Sequence, residues 1–144
     1  MKSFFPDVNV WIALAYEGHQ HHSEALDWLG TLVGETVEFC RITQLGFLRL
    51  LTQPSVMHEE VRSQKEAWHA YDLITQDERI VFHVETDPAP LDSILRKLSS
   101  GGRSSAKQWP DAYLAAFAAV ENLTLVTFDR GLHAIAPGSI LLGS

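Results

Sequence analysis

The stretch FFPDVNVWIAL, residues 4–14, decides how this chain is read. It is an apolar run nearly long enough for a strand and a helix, interrupted by one carboxylate, Asp7. An ionised carboxylate buried without a partner costs several kcal/mol or is driven to a higher pKa, so the acid requires a cation or donors from elsewhere in the chain. The run divides at that point. KSFFP (2–6) reads as a short apolar strand and VNVWIALAY (8–16) carries apolar residues at helical spacing, which leaves Asp7 on the junction.

The same alternation continues outward. Gly18 ends the first helix, and SEALDWLGTLV from Ser23 has an apolar stripe of Ala25, Leu26, Trp28, Leu29, Leu32 and Val33. VEFC (37–40) is a second strand, followed by a helix over ITQLGFLRLLTQ (42–53) that Pro54 ends. After a polar stretch to about Val61 come a helix over 63–76, a strand RIVFHVE (79–85) and a helix over 91–99. SSGGRSSAKQ (99–108) is a basic, Gly/Ser-rich loop. DAYLAAFAAVENL (111–123) is strongly helix-forming, TLVTF (124–128) is a buried-type strand, GLHAIA is a short helix and SILLG (139–143) a last strand. Buried-type strands joined by helical crossovers predict a three-layer α/β/α sandwich with a mainly parallel sheet.

Bulk properties narrow the classes. A chain of 144 residues, 46% apolar and 20% charged, is one domain's worth (1–144), able to bury roughly two thirds of its unfolded surface. No segment approaches the roughly 18 apolar residues of a membrane span, and the start has neither the basic nor the uninterrupted apolar part of a secretory signal. A cytoplasmic protein without membrane association is expected. The lone Cys40 has no partner for a disulfide or a Cys/His zinc site and reads as a small buried residue at a strand end. Net charge is −7, the wrong sign for holding nucleic acid by bulk electrostatics, yet Ser93–Pro110 carries Arg96, Lys97, Arg103 and Lys107 and no acid. A polyanion would be met locally or through a bound cation.

In an open parallel sheet, ligands bind outside the carboxyl ends of the strands. Asp7 follows the first strand, Asp129 follows TLVTF, and Asp111 opens the Ala-rich helix, where it could also serve as a cap. Singly, each fits a cap or turn. Together, three bare carboxylates repel, and a divalent cation removes the conflict. Oxygen ligands completed by water are what Mg2+ or Mn2+ prefers, and such an ion can activate a water against a phosphodiester. Asn9, two residues past Asp7, and Thr127, two before Asp129, are polar neighbours suited to orienting the acids.

With those residues placed, the chain resembles the PIN-domain ribonucleases, and among them the VapC-type toxins of toxin–antitoxin pairs. The matching stretches are FPDVNVWIALA, CRITQLGFLRLLTQP, and PDAYLAAFA followed by LVTFDRGL, with HQHHSEALDWL and the overall length also similar. The resemblance implies a five-stranded PIN-like fold, often dimeric, and a metal-dependent endoribonuclease that cuts RNA, tRNA or rRNA among its targets, until a VapB-like antitoxin blocks it. It assigns Mg2+ or Mn2+ to Asp7, Asp111 and Asp129, with Asn9 and Thr127 in support. One departure stands out: typical members carry a glutamate in the helix after the second strand, and ITQLGFLRL has no acid. The slot falls on Gly46 or on Gln44, whose amide can orient a water without adding charge; one subgroup of these toxins carries the same TQxGFxR stretch.

Arg49, Arg103, Lys107 and Trp109 are the candidate RNA contacts, the first three for phosphates and the tryptophan for stacking. Trp11 and Trp28 fall on apolar stripes and read as core or subunit interface. His19, His21 and His22 read as a polar helix entry near the cleft rim, not as a zinc site, because no HExxH or further ligand set accompanies them. A receiver-type phosphoacceptor module would need an acid pair after the first strand and a lysine after a late one; here Asp7 stands alone and Arg130 follows Asp129. A haloacid-dehalogenase-type phosphatase would need Asp where Asn9 stands. The alternative left open by the missing glutamate is a catalytically silent PIN-like RNA-binding or scaffold protein.

Overall fold

The strands β1 (Ser3–Pro6), β2 (Thr36–Phe39), β3 (Ile80–Phe82), β4 (Thr124–Thr127) and β5 (Ile140–Leu141) form one sheet in the order β3-β2-β1-β4-β5. Every pairing in it is parallel. This computed structural model describes residues 2–143. Its helices are α1 (Val8–Ala15), α2 (His22–Gly30), α3 (Arg41–Leu51), α4 (Pro54–Met57), α5 (Gln64–Ile74), α6 (Pro88–Leu98), α7 (Gln108–Glu121) and α8 (Arg130–Ile135), with a 3-10 turn at His58–Glu60.

The period-two alternation of the strands sorts side chains into two cores. Phe4, Val37, Phe39 and Val126 face the layer containing α1, α3 and α5, where Trp11 stacks on Phe39 with ring centroids 3.7 Å apart. Phe5 and Leu125 face the opposite layer, built on Leu91, Leu114, Phe117 and Leu132 of α6, α7 and α8. The α/β/α sandwich expected from the sequence is therefore present. Full burial of each of these large side chains stabilises by about 1.5–3 kcal/mol. Trp28 meets Phe4 edge-on, and Cys40 is buried just past β2, as the sequence predicts.

Several boundaries differ, among them the predicted strand 139–143, which shortens to Ile140–Leu141, and the helix 91–99, which starts at Pro88. Pro54 does follow the end of α3, but it also opens the extra helix α4 as its first residue, where the missing N–H costs nothing. The predicted strand 79–85 shortens to Ile80–Phe82; His83 still donates its backbone N–H to Phe39 at 2.7 Å, with its ring held between Glu38 and Glu121, and the chain then leaves the sheet. Helix α7 starts at Gln108, not at 111, since Pro110 is tolerated within a first turn. Asp111 thus lies inside that turn and does not cap the helix; Lys107 occupies the cap position.

The sheet order places the site. From β1 the chain proceeds to β2 and β3 on one side, then returns to β4 and β5 on the other, so β1 and β4 flank the reversal point. Crevices form at such points outside the strand carboxyl ends, and Asp7 and Asp129 are the residues there.

Candidate active site

Asp7 caps α1. Its Oδ1 accepts a hydrogen bond from the Val10 backbone N–H at 3.2 Å and its Oδ2 accepts one from the Thr127 hydroxyl. Only 5% of the residue is exposed. Burial pushes its carboxyl up to about 6, against the lowering effect of the Thr127 and Val10 hydrogen bonds and with a further upward push from the charges of Asp129 and Asp111. Thr127 joins two of the acids: its hydroxyl oxygen also accepts from the Asp129 backbone N–H at 2.9 Å.

Asp129 caps α8 through Oδ1, which accepts from Gly131 N–H at 2.7 Å and Leu132 N–H at 3.2 Å. Its other oxygen accepts from Lys107 Nζ at 2.7 Å, and the same ammonium donates to Asp111 Oδ2 at 3.2 Å. The lysine holds the Asp129 carboxyl below the usual carboxylate range, outweighing burial, and the two carboxylates raise the lysine in turn. Among the described residues no three His, Cys, Asp or Glu side chains converge closely enough to hold a metal ion as they stand. What Asp111 and Asp129 do share is a cation, Lys107. An all-oxygen donor set already drawn onto a positive charge suits a hard divalent ion.

A cleft of about 320 Å³ opens beside Asp129, lined also by Asn9, His19, Gln20, His21 and Phe128. Asn9 and two of the histidines thus stand at the rim, as the sequence suggests. His21 stacks on Phe128 at 4.4 Å and its Nδ1 lies 3.0 Å from Glu24, while His22 bonds the Ala13 carbonyl and so pins α2 to α1. Arg103 is exposed on the loop before α7, and Trp109 is 62% exposed in the first turn of that helix.

Arg49 lies apart from the acids. It lines a groove between α3 and α5 with Leu45, Leu48 and Trp68, and none of the three aspartates borders that groove. Buried Gln44 accepts from Arg41 Nη1 at 2.6 Å beside Tyr71. Gly46 has room for no side chain, because a Cβ there would come 2.5 Å from Val8 Cγ2. Of the two positions expected for a fourth carboxylate, Gly46 is closed by α1 packing on α3 and Gln44 holds a buried amide. Lys107, expected as a backbone-contacting loop residue, is instead engaged with Asp111 and Asp129.

One constellation escapes the sequence reading. His83 sits 2.7 Å from both Glu38 Oε1 and Glu121 Oε1, and Glu121 also accepts from the Thr86 hydroxyl at 2.8 Å. Burial alone would depress the imidazolium, but the hydrogen bonds to Glu121 and Glu38 outweigh it and hold it above its usual range. The signal was available, since Glu38 in TVEF is an acid inside an apolar strand, as Asp7 is an acid inside an apolar run.

The PIN domain family model matches residues 4–137. Ribonuclease VapC41 of Mycobacterium tuberculosis is 39% identical over 127 residues, covering 85% of this chain and 86% of that protein. Ribonuclease VapC44 of the same organism is 32% identical over 136 residues, covering 92% and 91%. Among solved structures, VapBC2 from Rickettsia felis bound to a promoter DNA fragment superposes with a TM-score of 0.65 at 15% identity, covering 96% of each chain. Mycobacterium tuberculosis VapC20, described as a sarcin-ricin loop cleaving toxin, does so with a TM-score of 0.64 at 17% identity, covering 91% of this chain and 93% of its own. The chain belongs to the PIN-domain family, in its VapC ribonuclease branch.

Proposed function

We propose that this protein is a metal-dependent endoribonuclease, the toxin of a VapBC-type pair, in which Asp7, Asp111 and Asp129 together hold Mg2+ or Mn2+. The observation that carries the reading is the clustering of two strand-end carboxylates, Asp7 and Asp129, with Asp111 of α7 at the sheet's reversal point, Asp111 and Asp129 already on one cation. When bound, the metal supplies a water of lowered pKa and stabilises charge developing on the phosphodiester.

The chain's own residues prepare that chemistry. Thr127 fixes the Asp7 carboxylate and the backbone of Asp129 through one hydroxyl, so two ligands share one support. Asn9 stands at the cleft beside Asp129 and can orient a water or a phosphate oxygen. Arg103 and Trp109, exposed on either side of Lys107, offer a phosphate contact and a stacking face to RNA. This local basic stretch compensates for a net charge of −7. A tRNA or rRNA is the substrate class, with the loop-cleaving VapC20 in support of the latter.

A VapB-like antitoxin is the partner this reading requires, supported by structural neighbours solved as VapBC assemblies. A homodimer in the cytoplasm completes it; among the described residues no helix is long and apolar enough to cross a membrane. The closed Gly46 slot favours one other reading, a catalytically silent PIN-like RNA-binding or scaffold protein.

Cleavage of mixed RNA by the purified protein with Mn2+, with EDTA, and as Asp7→Asn separates them. We expect EDTA or Asp7→Asn to reduce the rate at least about a hundredfold. Equal cleavage in all three overturns the metal mechanism, and no cleavage under any condition favours the silent protein.

A further inference from the structure

We infer that Lys107 is the resident cation of the metal-free site, and that a divalent ion must displace it from Asp111 and Asp129 to bind. The inference rests on the reading that these acids hold a metal.

Helix physics does not ask for a cation where Lys107 stands. It is the residue preceding α7, at the positive end of the helix dipole, where an ammonium is disfavoured and Ser, Thr, Asp or Asn would serve as a cap. Its pairing with Asp111 runs Lys then Asp four residues on, the weaker order for a helical ion pair. A local rule broken in this way needs a compensating contact. The compensation is Asp129, 22 residues away in sequence and 2.7 Å away in space.

The ammonium collects one oxygen from each of two elements, α7 and the β4–α8 junction, and so balances charge that would otherwise push the acids apart. A Cβ at Gly131 would lie 4.0 Å from Nζ, an ordinary contact distance. Two features make the lysine exchangeable. Its side chain is 66% exposed, and its flexible four-carbon stem lets the charge return to water without backbone movement. Entry of a divalent ion then exchanges one positive charge for two at Asp111 and Asp129, while the released ammonium stays tethered at the mouth of the site, beside Arg103 and Trp109 in the sequence.

The test is Mn2+ binding to the metal-stripped full chain, read from the electron paramagnetic resonance of free Mn2+, with no RNA present. Lys107→Met is expected to bind Mn2+ about fivefold more tightly than wild type, the size of a weak exposed ion pair expressed as an equilibrium ratio. Lys107→Arg, which keeps the cation, is expected to stay near wild type. Arg130→Gln removes an exposed charge next to Asp129 and controls for bulk electrostatics, and it too should stay near wild type. Lys107→Gln serves as a second neutral variant should Lys107→Met lose its fold. Equal or weaker binding by the neutral lysine variants, or an equal gain in Arg130→Gln, overturns the inference while leaving the metal reading intact. No Mn2+ bound by wild type or by either neutral variant removes both.

Discussion

Two groups of carboxylates close on a cation in this molecule, and they differ in how far water reaches them. Glu38 and Glu121 grip His83 from both ring nitrogens with side chains only 9% and 6% exposed. Asp111 and Asp129 grip Lys107 with side chains 20% and 29% exposed, and the lysine itself is largely in solvent. Desolvated partners cannot be separated without stranding a charge, whereas solvated ones exchange at small cost. The first group therefore behaves as part of the fold, fastening β2 and the end of β3 to α7. The second behaves as a site. Asp7 lies between the two types: buried like the glutamates, but given hydroxyl and amide donors in place of a full counter-charge.

The largest expected departure from this picture comes from His83→Ala, which leaves Glu38 and Glu121 facing one another without their cation. A loss of about 2–3 kcal/mol of stability is expected by denaturant titration. The pH course carries the sign. His83 is raised, so its contribution is fully present below the ordinary histidine value of 6.5 and is lost as pH rises through the folded value. Glu121 is held low by its His83 and Thr86 hydrogen bonds in spite of burial, so its contribution is present above 4.5 and lost as pH falls through its depressed value. The gap between wild type and His83→Ala should be widest between those limits. A gap that does not change across pH 4–9 would mean the cluster contributes packing and not charge.

Asp7→Asn should do the opposite to the metal-free fold. A carboxyl raised from 3.8 to about 6 contributes stability fully present below 3.8 and lost as pH rises to about 6, so above that it opposes folding. The amide keeps one acceptor oxygen for the Val10 N–H and turns its NH2 toward the Thr127 hydroxyl, which can accept from it. A gain of about 2 kcal/mol at pH 7.5 in EDTA is expected, alongside the loss of cleavage. A fall in stability instead would place the Asp7 charge with a partner it does not have here. The smallest effect belongs to the solvated pair: Asp111→Asn should alter metal-free stability by less than about 0.5 kcal/mol. A larger loss would make the Lys107 contact a structural bridge and erase the distinction between the two groups.

Much of the site was legible along the chain because its residues sit where strands end. An apolar run broken by one acid marks Asp7, and VTFD marks Asp129, by hydrophobic patterning within a few residues. Asp111 is marked by type and region, although the helix begins three residues before it and holds Pro110 within its first turn. Glu38 carried the same mark as Asp7 and went unread, because its cation lies 45 residues away in the histidine of a strand that was expected to run straight on.

From the sequence alone came the alternation of strands and helices and the acids at the carboxyl ends, set by local periodicity and by the cost of burying charge. Which acids meet, and on what cation, was decided by the sheet order. Placing β4 beside β1 gives Asp7 its Thr127 donor, and the first turn of α7 brings Lys107 onto Asp129. The same packing of α1 on α3 fills the Gly46 slot with Val8. Contacts between residues tens of positions apart depend on chain topology and close packing, which no local pattern encodes.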